Sequence, residues 1–281
     1  MLTYDFGGDG LVMTLAVANG FPPITYQPLM SPFSAAYKVI GLPPRAMKPG
    51  VEPPAELQSW KETLMTEMLA TIQHMGLRGI IGVGHSFGGV ATLLTAIEEP
   101  DRYRALILLD PTILPEAAML RMRVQQEGGR TDDNPLAERA AKRRDRFESR
   151  DEAYEYFKGK ALFADWPDKT VRLYADSLDF DGGGYILAWP RAWEAYYFRT
   201  LYTHTWQDLP KLATTNIPML VIRGGESDTF LPDAMQRMQM ILPDATYKEI
   251  TGHGHLFPHS APDETRQIIT DWLDAQDFDP L

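Results

Sequence analysis

The chain has no cysteine in its 281 residues. That excludes disulfides, thiolate metal sites and a cysteine nucleophile, and leaves the redox compartment open. Positive charge is scarce: 27 Lys and Arg face 38 Asp and Glu, for a net charge of −11. So acidic a balance argues against a general affinity for nucleic acid or anionic membranes, which attract basic patches. Long apolar runs are missing too. Leu11 to Ala18 falls well short of the roughly 20 residues that cross a bilayer, and Met1-Leu2-Thr3-Tyr4-Asp5 shows no basic leader. A cytoplasmic location with no membrane partner is expected. Neither a dinucleotide fingerprint nor a phosphate-binding glycine loop is present, so no organic cofactor is implied, and no metal. There is no internal repeat, and the one biased tract is the proline-rich stretch 43–54.

What is there suits a globular chain: 44% hydrophobic and 23% charged residues. The length fits one large domain, or a domain with an insertion, burying a substantial core. Short apolar runs alternate with helical spacing, which predicts a parallel sheet covered by helices on both faces. Strands are expected over Val12–Ala18, Tyr37–Leu42, Arg78–Val83, Ala105–Leu109, Met219–Arg223 and Thr246–Ile250. Helices are expected over Leu57–Met75, Val90–Ile97, Asp233–Ile241 and Glu264–Leu273. The interval from Thr112 to Leu209 breaks this rhythm. It holds no convincing strand and four helical stretches: Leu136–Arg146, Asp151–Lys158, Lys169–Leu178 and Ala192–Thr200. Gly182-Gly183-Gly184 reads as a flexible stretch. The interval is expected to be a helical lid over the C-terminal edge of the sheet, where open α/β sheets bind ligands.

The most informative motif is Gly84-His85-Ser86-Phe87-Gly88, between a buried strand and a helix. A serine there stands on a sharp, strained turn with its Oγ exposed, and the flanking glycines let neighbouring chain pass close. Serine needs an imidazole to take its proton and a carboxylate to orient the imidazole. His255, in Thr251-Gly252-His253-Gly254-His255 after the last strand, is the expected base, with His253 the runner-up. His259 reads as structural. Asp228, in Arg223-Gly224-Gly225-Glu226-Ser227-Asp228, is the expected acid. Asp110, at the end of the Ala105–Leu109 strand, competes for the role, and Glu226 reads as a solvated loop carboxylate. A tetrahedral intermediate needs two backbone N–H donors. Phe87 is expected to supply one and Phe21, in Asn19-Gly20-Phe21-Pro22, the other. The alternative for that segment is a plain strand-ending turn. Asn19, His85, Trp189, Trp193 and Tyr197 are pocket candidates, although aromatic residues at helical spacing also serve as packing. The basic run 142–146 reads as a solvated helix face.

Together, Asn19-Gly20-Phe21-Pro22, the Ser86 turn, Asp228 in Gly-x-x-Asp and His255 in Gly-x-Gly-His resemble the α/β-hydrolase superfamily over nearly the whole chain. The resemblance implies an α/β fold with an eight-stranded, mostly parallel, doubly wound sheet and a helical cap inserted near Pro111. The core would be 1–111 and 210–281, and the cap 112–209. Most members have His-Gly where this chain has Asn19-Gly20, and an acidic glycine-rich loop where it has Pro43-Pro44-Arg45. The serine argues against the aspartate-based chemistry of haloalkane dehalogenases and epoxide hydrolases. The expected activity is cofactor-free hydrolysis of a carboxylic ester or related small-molecule acyl substrate, apolar in character. The alternatives are carbon–carbon bond hydrolysis, a cofactor-free perhydrolase and a non-catalytic small-molecule receptor.

Overall fold

A computed structural model describes residues 3–129 and 134–276. In chain order its strands are β1 (Tyr4–Gly7), β2 (Val12–Ala16), β3 (Lys38–Gly41), β4 (Ile80–His85), β5 (Tyr103–Leu109), β6 (Arg146–Phe147), β7 (Asp179–Phe180), β8 (Tyr185–Ile186), β9 (Met219–Gly224) and β10 (Thr246–Ile250). Seven form the central sheet in the order β1-β3-β2-β4-β5-β9-β10. β1 runs antiparallel to β3 and the other pairs are parallel. β4 and β9 are buried along their whole length. Helices cover both faces of a parallel sheet, so its inner strands read as unbroken apolar runs, not alternating ones.

The chain adds β3 on one side of β2 and then returns to add β4 on the other. The loops after β2 and β4 therefore leave the sheet beside the point where the winding reverses, the usual position of a crevice in such folds. The helix Phe87–Glu98 follows β4 with ten of its twelve residues buried. β1 was not anticipated. Its four residues form an edge strand with only Phe6 buried, too short a signal to read from pattern. The helix expected from Leu57 starts near Trp60 with a wide turn over Lys61–Met65 and ends at His74; Leu57 is exposed. The central sheet has seven strands among the described residues, not the eight the resemblance implied.

Between β5 and β9 the chain forms helices Glu116–Glu127, Pro135–Lys142, Arg150–Lys158, Asp168–Asp176, Arg191–Arg199 and Thr205–Leu212. Contrary to expectation it also contains strands: β6, β8 and β7 form a small antiparallel sheet of two-residue strands. Strands that short carry no readable period. Gly182 (φ +91°) lies in the turn joining β7 to β8, where the Asp181 N–H donates to Gly184 O at 3.1 Å.

Candidate active site

Ser86 stands between β4 and the helix Phe87–Glu98 at φ +59°, ψ −123°. A side chain in that region is strained and is held only by over-determined surroundings. Backbone bonds do so: Ser86 N–H donates to Leu109 O (3.0 Å), and the Gly89, Val90 and Thr112 N–H groups donate to Ser86 O (3.0, 3.3 and 3.2 Å). Gly88 is needed because a Cβ there would lie 2.4 Å from Ala16 O; at Gly84 it would lie 2.6 Å from Gly88 O.

Ser86 Oγ lies 2.9 Å from His255 Nε2, and His255 Nδ1 lies 2.8 Å from Asp110 Oδ1. Asp110, not Asp228, is the carboxylate that meets His255. Asp110 directly follows β5, in the left-handed region (φ +42°), with its N–H donating to Ile222 O. Its side chain is fully buried. Oδ2 accepts from the Gly224 N–H at 2.7 Å, and Oδ1 accepts from the Ser227 hydroxyl at 2.6 Å. The loop after β9, where the acid was expected, thus offers a hydroxyl to a carboxylate arriving from β5. A tight turn closed by Ser227 N–H on Gly224 O directs Ser227 inward. Asp228 is exposed and accepts from the adjacent Thr229 hydroxyl at 3.2 Å. Glu226 is exposed as well. His253 turns to Ser260 Oγ at 2.8 Å.

The segment after β2 forms a turn in which Phe21 N–H donates to Ala18 O at 3.2 Å and Gly20 takes φ +90°. Glycine with positive φ before the closing residue is the mark of a type II turn. The Phe21 N–H, expected as a free donor, is therefore committed to the turn. Phe87 opens its helix, where N–H groups have no acceptor within the helix.

His85 was expected near the pocket but is fully buried, with both ring nitrogens engaged. Tyr26 OH lies 2.7 Å from Nδ1, and Nε2 lies 2.9 Å from His255 O. The carbonyl can only accept, so Nε2 carries the proton and Tyr26 donates to Nδ1. Tyr26 OH in turn accepts from the Ala18 N–H at 2.9 Å. This buried line joins the turn after β2 to the main chain of His255. Burial, with the neighbouring His255 and His259 rings, holds the His85 pKa well below the ordinary histidine value. His259 is also buried, bonded to Thr25 Oγ1 at 3.0 Å and stacked on Trp166 at 4.3 Å; burial lowers its pKa likewise.

Of the aromatic candidates, Trp189 and Tyr197 meet Phe87 with ring centroids 5.9 and 5.1 Å away. Trp193 instead donates its indole N–H to Val51 O at 2.6 Å and lies 5.3 Å from the Tyr197 ring. All three are buried. Asn19 donates through Nδ2 to Glu194 O at 3.0 Å. The Glu194 carboxylate pairs with Arg143 at 2.5 Å, and Arg143 donates to Tyr174 OH, which donates to Gly20 O at 3.1 Å. Arg143, read as part of a solvated face, is thus largely enclosed, because the chain turns out of the helix Pro135–Lys142 just before it. Thr112, Ser227 and Tyr26 were not anticipated, and no local pattern marks them. Among the described residues no group of three or more His, Asp or Glu is placed to hold a metal, and no helix is long and apolar enough to cross a membrane.

A serine hydroxyl, an imidazole and a buried carboxylate in one hydrogen-bonded line can pass a proton from the serine to the imidazole. Comparison with known proteins agrees with this fold. The chain is similar to the proline iminopeptidase of Lactobacillus crispatus, 26% identical over 228 residues, covering 77% of this chain and 73% of the relative. Among solved structures it resembles E-2-(acetamidomethylene)succinate hydrolase with a TM-score of 0.75 at 20% identity, covering 97% and 94% of the two chains. A thermophilic esterase from Thermogutta terrifontis matches with a TM-score of 0.64 at 23% identity, covering 97% and 92%. The sequence profile of the alpha/beta hydrolase family matches residues 17–268, and the chain belongs to that family.

Proposed function

We propose that the protein is a serine hydrolase that cleaves a carboxylic ester or related acyl compound through an acyl-enzyme. The observation that carries the reading is the unbroken line from Ser86 Oγ through His255 to the buried Asp110. Ser86 attacks the carbonyl carbon as its proton passes to His255 Nε2, and Asp110 holds the tautomer that leaves Nε2 free to accept. The leaving group takes the proton from His255. A water activated by the same imidazole then releases the acid. The Phe87 N–H is the donor this reading assigns to the tetrahedral oxyanion.

Residues 112–209 act as a cap in this reading. Support comes from Asn19 and Gly20 being bonded by Glu194 and Tyr174, and Phe87 being covered by Trp189 and Tyr197. Those rings offer an apolar wall to the acyl group. The buried Trp189 Nε1, without a partner among the described residues, leaves one donor for a substrate acceptor. The names of the similar proteins include an iminopeptidase, an esterase and a succinate-derivative hydrolase. They support acyl transfer to water as the class and do not select a substrate.

The test is hydrolysis of p-nitrophenyl esters from acetate to laurate by the unaltered protein and by Ser86→Ala. Turnover that disappears in the variant supports the reading, and the preferred chain length sizes the pocket. Turnover that survives in Ser86→Ala, or none with any ester, sinks it in favour of carbon–carbon cleavage, peroxide chemistry or a receptor.

A further inference from the structure

Thr112 brings a hydroxyl to the serine that the proton path above leaves unused. Its Oγ1 lies 3.0 Å from Ser86 Oγ, and its main-chain N–H donates to Ser86 O at 3.2 Å. The residue is buried. It follows Asp110-Pro111, so the strand end that supplies the carboxylate also places this hydroxyl, and the backbone bond ties it to the strained turn.

Counting protons gives the bond a direction. His255 Nδ1 faces a carboxylate, which only accepts, so Nδ1 carries the proton and Nε2 is an acceptor. Nε2 therefore takes the Ser86 hydroxyl proton. Ser86 Oγ has no second proton to give, so Thr112 Oγ1–H donates to it. The serine oxygen sits between a base that removes its proton and a donor aimed at its lone pair.

We infer that Thr112 is a further catalytic residue, whose hydroxyl stabilises the charge on Ser86 Oγ while the serine proton resides on His255. The inference rests on the serine-hydrolase reading above. During attack the Ser86 O–H bond breaks, the proton moves to His255 Nε2, the Oγ–carbon bond forms and the carbonyl π pair moves onto its oxygen. When the acyl-enzyme is hydrolysed, a water oxygen bonds to the acyl carbon as its proton passes to His255 Nε2; the carbon–Oγ bond then breaks, and Oγ leaves with the electron pair and takes that proton back. In both steps Oγ carries partial negative charge, and a hydrogen bond to a charged oxygen is about twice as strong as one between neutral groups.

A fluorophosphonate tests this without knowledge of the natural substrate. Ser86 Oγ forms a bond to phosphorus, fluoride leaves, and the serine proton again passes to His255. The second-order labelling rate is measured for the unaltered protein, Thr112→Val, Thr112→Ala and Thr112→Ser, with thermal melting as the folding control. Valine keeps the shape and the backbone bond while removing the donor; alanine repeats that loss with less bulk. Both should be labelled about 10-fold more slowly or worse, and serine should recover the rate to within about threefold of the unaltered protein. Folded valine and alanine variants labelled as fast as the unaltered protein overturn the inference, as does a serine variant as slow as valine. If the unaltered protein is not labelled, or Ser86→Ala still is, the serine-hydrolase reading falls and this inference falls with it.

Discussion

Replacing Asp110 by Asn tests the line of hydrogen bonds at its most specific point. The Asp110 carboxylate accepts from Gly224 N–H through Oδ2, and from Ser227 Oγ and His255 through Oδ1. Asparagine has nearly the same shape but only one accepting oxygen. The Gly224 N–H is a buried backbone donor that needs an acceptor, so the amide oxygen goes there and the NH₂ faces Ser227 and His255. Ser227 Oγ already accepts from the Thr229 and Phe230 N–H groups, both at 3.1 Å, so its hydroxyl loses its acceptor. His255 Nδ1 must accept from the NH₂, which moves its proton to Nε2 and leaves no base for Ser86. Where the same exchange breaks a Ser-His-Asp line in other enzymes, turnover falls about 10⁴-fold, or about 5 kcal/mol of transition-state stabilisation. In the p-nitrophenyl ester assay, kcat for Asp110→Asn should fall by about that factor with KM nearly unchanged. Asp228→Asn, on an exposed side chain, should stay within about twofold of the unaltered protein. An Asp110→Asn enzyme that keeps more than about a tenth of its turnover would refute the argument. So would an Asp228→Asn enzyme that loses as much.

His85 and His259 make stability depend on pH in a defined direction. Both stay neutral when folded because burial depresses their pKa, whereas in the unfolded chain they titrate near 6.5. Below that pH the unfolded state takes up protons that the folded state refuses, so stability falls as pH falls. Two such groups cost at most about 4 kcal/mol between pH 7.5 and 5; urea midpoints should fall accordingly, and His259→Gln should remove about half of the dependence. A midpoint flat over that range, or a dependence untouched by His259→Gln, contradicts the assignment. The Arg143–Glu194 pair, with side chains 19% and 13% exposed, should behave as a buried pair. Arg143→Met alone should lose about 3 kcal/mol by leaving a carboxylate unpaired, and Arg143→Met with Glu194→Leu should recover much of it. If chemical denaturation shows the double variant losing the sum of both single losses, the two side chains do not act as a pair.

Much of the core is legible in the sequence. Ile80–His85, Ala105–Leu109 and Met219–Arg223 are runs buried on both faces, and such runs betray a parallel sheet without reference to neighbours. Ser86 was legible because its turn demands glycine at 84 and 88, a local steric need that leaves a local trace. The two-residue strands at Arg146, Asp179 and Tyr185 left no trace, since a period cannot be seen in two residues. The fate of the Asn19-Gly20 segment lay between two readings that the same residues satisfy. Only the position of the Phe21 N–H, on Ala18 O, separates them.

By itself, then, the sequence determined the α/β class, the strained serine and the histidine loop, each of which is written in neighbouring residues. Which carboxylate meets the histidine was decided by the tertiary structure alone. Asp110 and Asp228 both follow buried parallel strands, and both loops reach the same edge of the sheet. The choice turned on one step along a turn after β9, which sends Ser227 inward and Asp228 to solvent. It turned also on a left-handed residue closing β5, which directs Asp110 beneath His255. Thr112 reached Ser86 by the same route, for the segments that follow β4 and β5 meet only because those two strands pair side by side in the sheet.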